Sequence, residues 1–376
     1  MSKFIAISDS FKGTLSSTEI NNMLKQSLLR KYPGCDVLNI PIGDGGEGSL
    51  ECIKHFVSGK IIKIRTVDPY FNEIEAKYYL SDKNEAYIES ASCIGLTLNK
   101  DNNPTIASSY GLGIMIKDAI DRKVKKVYLL LGGSATNDAG CGLASALGVR
   151  FISNNNQEFI PCGKNINEIK TIISNKIETK IVCLCDVKSK MYGKYGASKL
   201  FAKQKGANEK EIELLENNLK YLNDLFIKQL SVDASNIKYG GAAGAISAGA
   251  YVFFNAKLVS GIDQMLRIVD FDNKLDNCNM VFTGEGKIDS QSNKGKVIDG
   301  IIKRCQKKNV PVILIAGKIE KQEKVKLLKN KIIQNIYTTN NETKDFEIIK
   351  KTAKDDYQKV ADKVIESFKI WNKFNH

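Results

Sequence analysis

Histidine is almost absent from this 376-residue chain, which carries only His55 and His376. The first falls inside a helical stretch and the second is the last residue. Ser-His-Asp hydrolysis, histidine acid–base work and multi-histidine metal sites are therefore poor fits, and a base here should be a carboxylate or a lysine. Cysteines are present, but the nine are odd in number and scattered, with no C-x-x-C pair. That pattern reads as buried thiols, Cys183 and Cys185 included, and not as a disulfide frame or a zinc site. Gly-x-x-x-x-Gly-Lys-Ser/Thr is also missing: Gly295-Lys296 lacks the upstream glycine and runs on into Val297. Protein-kinase H-R-D and D-F-G signatures are absent. No G-x-G-x-x-G opens a helix after the first strand, which weakens a nicotinamide-dehydrogenase reading. Long apolar runs are lacking as well. The one that follows Lys3 is cut off at Asp9, too early for a signal-peptide core, so a cytoplasmic protein is expected.

The formal charge of +14 raises nucleic acid as a partner. The lysines are spread out among apolar residues at helical spacing, however, with no dense basic block. A diffuse positive potential of this kind suits small anions better. Length and an ordinary soluble composition suggest about two domains.

What is present is alternation. Strand-like runs at Lys3 to Ser8, Val37 to Pro41, Met280 to Thr283, Val310 to Ala316 and Ile332 to Tyr337 are interleaved with helical segments. The helices include Thr18 to Lys31, capped by Ser16 or Ser17, and Phe346 to Asn372. This pattern predicts a doubly wound parallel α/β architecture at the two ends of the chain. The middle differs, since Lys60 to Val67, Glu75 to Leu80 and Ala86 to Glu89 read as antiparallel strands.

Six polar, glycine-rich segments stand out, most of them where strands end, which is where open α/β sheets gather ligands. They are Asp9-Ser10-Phe11-Lys12-Gly13, Gly43-Asp44-Gly45-Gly46-Glu47-Gly48 and Gly132-Gly133-Ser134-Ala135-Thr136-Asn137-Asp138. The others are Asp186 with Gln204-Lys205-Gly206, Gly240-Gly241-Ala242-Ala243-Gly244, and Thr283-Gly284-Glu285-Gly286-Lys287-Ile288-Asp289. Taken singly, each is explained as a turn with capping side chains. Together they supply lysines, carboxylates and backbone N–H groups, the parts that phosphoryl transfer needs.

In this order and combination, with Gln291 after the last, the segments resemble the bacterial glycerate kinase family that lacks a P-loop, over nearly the whole chain. Two departures stand out. Ile42-Gly43 precedes the D-G-G-E-G run in place of a small residue, and Lys188-Ser189-Lys190 replaces an Asn-Pro-Leu-like continuation after Asp186-Val187. The resemblance implies two α/β domains. One is flavodoxin-like with a parallel sheet, from 1–58 plus 275–376; the other is inserted, with a mixed sheet, over 59–274; the active site is expected in the cleft between them. It also implies ATP- and Mg²⁺-dependent phosphorylation of D-glycerate, commonly giving 2-phosphoglycerate. The expected partner is the small acid itself, with neither nucleic acid nor membrane, and a homodimer is compatible with the family.

On that basis Asp186 is the first choice to orient or deprotonate the acceptor hydroxyl, with Lys12 and Asp44 beside it in the chemistry and Asp138 as the Mg²⁺ ligand. Binding falls to Asp9, Ser10, Gly45, Gly46 and Glu47, to Gly132, Gly133, Ser134, Thr136 and Asn137, and to Lys205, Gly241 and Gly244. Thr283, Gly284, Glu285, Lys287 and Asp289 complete the set. Which lysine meets which anion stays open. A glycerate 3-kinase, a kinase of a related hydroxy acid and a non-catalytic nucleotide-binding regulator are the rival readings.

Overall fold

The structure, a computed structural model, describes residues 2–289, 297–340 and 345–367. Gln291 and the expected end of the last helix at 368–372 lie outside the described residues. The chain divides into two compact units, Met1–Asp44 with Met265–His376, and Gly45–Gln264.

In the first unit, five short parallel strands form one sheet: Lys3–Ala6, Asp36–Asn39, Met280–Thr283, Val312–Ala316 and Ile333–Thr338. Numbered within this unit, their spatial order is 2-1-3-4-5, the flavodoxin-like arrangement with its switch point between the first and third strands. The central runs are apolar at nearly every position because helices cover both faces of such a sheet. The helix Ser17–Lys31 starts with a capping box. Ser16 Oγ accepts from the Glu19 N–H at 3.2 Å, and Glu19 Oε2 accepts from the Ser16 N–H at 2.9 Å. Its Ile20, Leu24 and Leu28 fall on one face at helical spacing and are buried.

Two buried polar residues of this helix fix the strand exits. Asn21 Oδ1 accepts from the Ser8 N–H at 3.0 Å while its Nδ2 donates to the Ile40 carbonyl at 3.1 Å. Ser17 Oγ donates to the Ser8 carbonyl at 2.5 Å and accepts from the Ile42 N–H at 3.0 Å. These bonds hold the segments leading to Asp9 and Asp44 side by side. The last helix, Phe346–Glu366, packs on the same end of the unit. Its buried Tyr357 meets Phe11 edge-on at 5.7 Å, and Asp362 accepts from Ser27 and Arg30 of the first helix.

The second unit holds a six-stranded mixed sheet. Lys257–Ser260, Lys180–Cys185, Lys126–Leu131 and Glu85–Glu89 run parallel, and Glu73–Ser81 and Gly59–Val67 continue the sheet antiparallel. A separate three-stranded antiparallel sheet is built from Glu158–Phe159, Arg150–Ser153 and Ile169–Ile173. All nine cysteines are free, with Cys183 and Cys185 buried in the strand Lys180–Cys185. Among the described residues, no helix is long and apolar enough to cross a membrane.

Candidate active site

In the first unit a cavity of about 450 Å³ opens beyond the carboxyl ends of the five parallel strands, and it includes the switch point. Asp9 and Lys12 enter from the first strand, Asp44 from the second, and Glu285, Lys287 and Asp289 from the third. The first and third exits are stitched together by an Asp9 N–H donated to the Gly284 carbonyl at 2.9 Å. Thr283 and Gly284 immediately precede Glu285, which lines the cavity. Thr283 is buried with no partner for its Oγ1 among the described residues, and Gly284 lies flat against the Ile315 carbonyl.

The charges in this cavity act on one another. Burial, reinforced by the nearby charge of Asp44, pushes the Asp9 carboxyl up to about 7, although the Ser10 N–H donates to its Oδ1 at 2.7 Å and Lys12 opposes the rise. Lys287 pairs with Asp289 at 3.0 Å, and that contact raises the lysine above its usual range. Asp9, whose ionisation is disfavoured by burial and then by the Asp44 charge, offers with Asp44 the hard carboxylate oxygens that a Mg²⁺ ion takes. Among the described residues no cluster of three or more acidic, histidine or cysteine side chains could hold a metal by itself. Mg²⁺ does not require one, since it commonly takes one or two carboxylates and completes its shell with phosphate oxygens and water.

In the second unit, the loops after three parallel strands converge. The Cα of Gly46 lies where a side chain on Gly132 would begin, 2.6 Å from an added Cβ, so the D-G-G-E-G and G-G-S-A-T-N-D loops touch backbone to backbone. Gly45 packs on Gly261, and Glu47 reaches Gly133. Lys205 is only 3% exposed, and its Nζ donates to the Thr136 carbonyl at 2.7 Å and to Ser134 Oγ at 3.2 Å. Burial lowers this ammonium to about 8 against the pull of Asp138 and Asp186, which places both carboxylates within electrostatic reach. Asn137 donates from Nδ2 to Ser198 Oγ at 3.1 Å. Thr136 Oγ1 and Asn137 Oδ1 are buried with no partner among the described residues. Gly241 packs against the Lys190 carbonyl. Gly244, in a left-handed turn with Ala243 and Ala245, presses on the Thr136 carbonyl.

Asp138, which the sequence suggests as the metal ligand, has a fully enclosed side chain that makes four hydrogen bonds within the fold. Oδ2 accepts from the Ser109 N–H at 2.8 Å, Ser109 Oγ at 2.7 Å and the Gly142 N–H at 3.2 Å, and Oδ1 accepts from the Gly140 N–H at 3.1 Å. It ties the loop to the helix start behind it. Sequence reasoning also passes over one cavity wall, made by Phe346, Ile349 and Ala353 of the last helix together with Thr339 and Asn340. The available signal is the spacing of Phe346, Ile349, Ala353 and Asp356 along a single helical face.

The comparisons agree with this architecture. The model of the glycerate kinase family matches residues 4–369. A glycerate kinase of Bacillus cereus is 33% identical over 376 residues, covering 98% of each chain. The glycerate 2-kinase of Escherichia coli is 33% identical over 325 residues, covering 84% of this chain and 85% of that one. A crystal structure described as glycerate kinase 2 from Salmonella typhimurium LT2 superposes with a TM-score of 0.84 at 30% identity, covering 99% of this chain and all of the other. By this match, which runs almost from end to end, the chain belongs to the glycerate kinase family and is a kinase.

Proposed function

We propose that this enzyme moves the γ-phosphoryl group of ATP, with Mg²⁺, onto the C2 hydroxyl of D-glycerate, giving 2-phosphoglycerate and ADP. The observation that carries the reading is the cavity at the switch point, where Lys12 and Lys287 stand beside the Asp9–Asp44 pair. Phosphoryl transfer is mostly positioning and charge stabilisation, and these groups meet both needs. Asp9 and Asp44 are the side chains that would hold the cation. The chemistry such an ion supplies is neutralisation of charge on the β- and γ-phosphate oxygens. Lys12 and Lys287 bind the phosphates.

Asp186 orients the acceptor hydroxyl and takes its proton, with Lys205 and the Ser134–Asn137 loop holding its surroundings in shape. Asp186 follows directly on the strand Lys180–Cys185 of the second unit and is half-buried. Transfer to C2 is supported by the name of the Escherichia coli relative.

The test incubates the full chain with ATP, Mg²⁺ and D-glycerate and couples the product to enolase alone. Enolase takes the 2-isomer directly, so a signal without added mutase is expected. A signal that appears only with mutase would move the transfer to C3, and no glycerate-dependent ADP would end the reading. Asp186→Asn should lose on the order of 10²-fold or more in kcat; near-normal turnover would remove Asp186 from the proton-accepting role.

A further inference from the structure

The cavity of the first unit has two unlike sides. Its floor is charged, with Asp9, Lys12, Asp44 and Lys287 at the strand ends. Its other wall is the face of the last helix that carries Phe346, Ile349 and Ala353, at positions i, i+3 and i+7. Phe346 is 51% exposed, an unusual state for an aromatic ring lining a concave site. The Lys350 ammonium stands 5.6 Å from the ring centroid, and Gly13 lies at the ring edge, where an added Cβ would meet Cζ at 2.9 Å. The ring is therefore held in place from one side and left uncovered toward the cavity.

A three-carbon hydroxy acid explains neither the size nor the apolar wall. It has no flat apolar face to offer an aromatic ring and would leave most of about 450 Å³ empty. A nucleoside triphosphate has both characters: a planar base for the apolar wall and a chain of phosphates for the lysines. Pockets for ligands of that size run from about 300 to 1,000 Å³. Asn340 lines the same wall, and its Oδ1 has no partner among the described residues, so it offers an acceptor for a ring amino group.

We infer that the first unit holds the entire adenine nucleotide, with the base against Phe346, Ile349 and Ala353 and the phosphates toward Lys12 and Lys287. The inference rests on the reading of ATP as phosphoryl donor and adds where its nucleoside half binds.

The test titrates ADP and inorganic tripolyphosphate, which has no base, into the full-length protein and into Phe346→Ala and Phe346→Trp. Loss of an aromatic partner for the base should weaken ADP about tenfold or more in Phe346→Ala. Tripolyphosphate should stay within about twofold, and Phe346→Trp should restore ADP. In turnover, KM for ATP should rise while kcat and KM for D-glycerate hold. Because the side chain is half exposed, melting curves of the variants should overlay the parent. ADP affinity unchanged in Phe346→Ala overturns the inference, as does equal weakening of ADP and tripolyphosphate. The two readings fail separately. Loss of ADP binding in Phe346→Ala without transfer to D-glycerate in the parent supports the base site and removes the acceptor, while normal glycerate turnover with an indifferent Phe346→Ala removes only the base site.

Discussion

Asp138→Asn separates a carboxylate that holds the fold from one that holds a metal. The side chain takes four internal donors, three on Oδ2 and one on Oδ1. Asparagine keeps the shape and replaces one acceptor with an amide donor. With its oxygen turned toward Ser109 and Gly142, its Nδ2 faces the Gly140 N–H, donor against donor. Three bonds then lose their charge assistance, at about 1 kcal/mol each, and one buried N–H is left unsatisfied at about 1–3 kcal/mol. Relief of the burial that raises this carboxyl returns part of the loss. A net destabilisation of about 3 kcal/mol follows. The second unit spans residues 45–264, a size at which each kcal/mol moves Tm by about 2–4 °C, so its transition should fall by about 6–12 °C. Differential scanning calorimetry with and without Mg²⁺ reads this directly, and the drop should be the same in both buffers. A variant that melts with the parent and yet loses its Mg²⁺ dependence of turnover would refute the holding role and return Asp138 to the metal.

Gly244→Ala adds a Cβ 2.0 Å from the Thr136 carbonyl at a φ of +65°, whereas Gly48→Ala at φ +85° meets nothing within 4 Å. Both pay the left-handed penalty of about 1–2 kcal/mol, so urea unfolding should show Gly244→Ala worse by a further ~2 kcal/mol or more from overpacking; equal losses would mean the loops do not touch there. Glu89, half-buried near Glu47 and Glu51 and accepting from the Leu50 N–H at 2.7 Å, is pushed up to about 7 chiefly by desolvation. The folded state then holds a proton that the unfolded state has released, so stability should fall as pH rises from about 4.5 to 7. Glu89→Gln should flatten that part of a Tm-against-pH curve, and an unaltered slope would count against the shift. Ser16→Ala removes the capping box of the first helix and should cost the first unit about 1 kcal/mol, read as a lower urea midpoint with unchanged m-value.

The parallel sheet of the first unit was legible because strands covered on both faces are written as short, unbroken apolar runs, as in Val312–Ala316. The capping box at Ser16 and Glu19 is equally local, which is why the start of that helix agrees to within a residue. The small antiparallel sheet at Arg150–Ser153, Glu158–Phe159 and Ile169–Ile173 was not read. Its strands have two to five residues, too short for an alternating pattern to show, with the Asn154–Asn156 run between the first two and the third about twenty residues from the first. Nor does sequence distinguish Phe346 and Ile349 from a core stripe, since helical spacing records that a face is apolar and not whether anything covers it.

The same limit explains the carboxylates. Asp9 and Asp138 both lie in polar loops that follow a strand, so residue type and context do not say which of them the fold consumes. They differ in where their hydrogen bonds come from. Among the described residues Asp9 accepts only from Ser10, on Oδ1, and burial together with the Asp44 charge raises its proton affinity. Asp138 is saturated, twice by Ser109, which stands 29 residues earlier in the chain. A carboxylate whose acceptors are all spent inside the fold has none left for a cation or a substrate hydroxyl. On the reading proposed above, the carboxylate oxygen that Asp9 brings to the cavity uncommitted among the described residues is Oδ2, since Ser10 donates to Oδ1 alone.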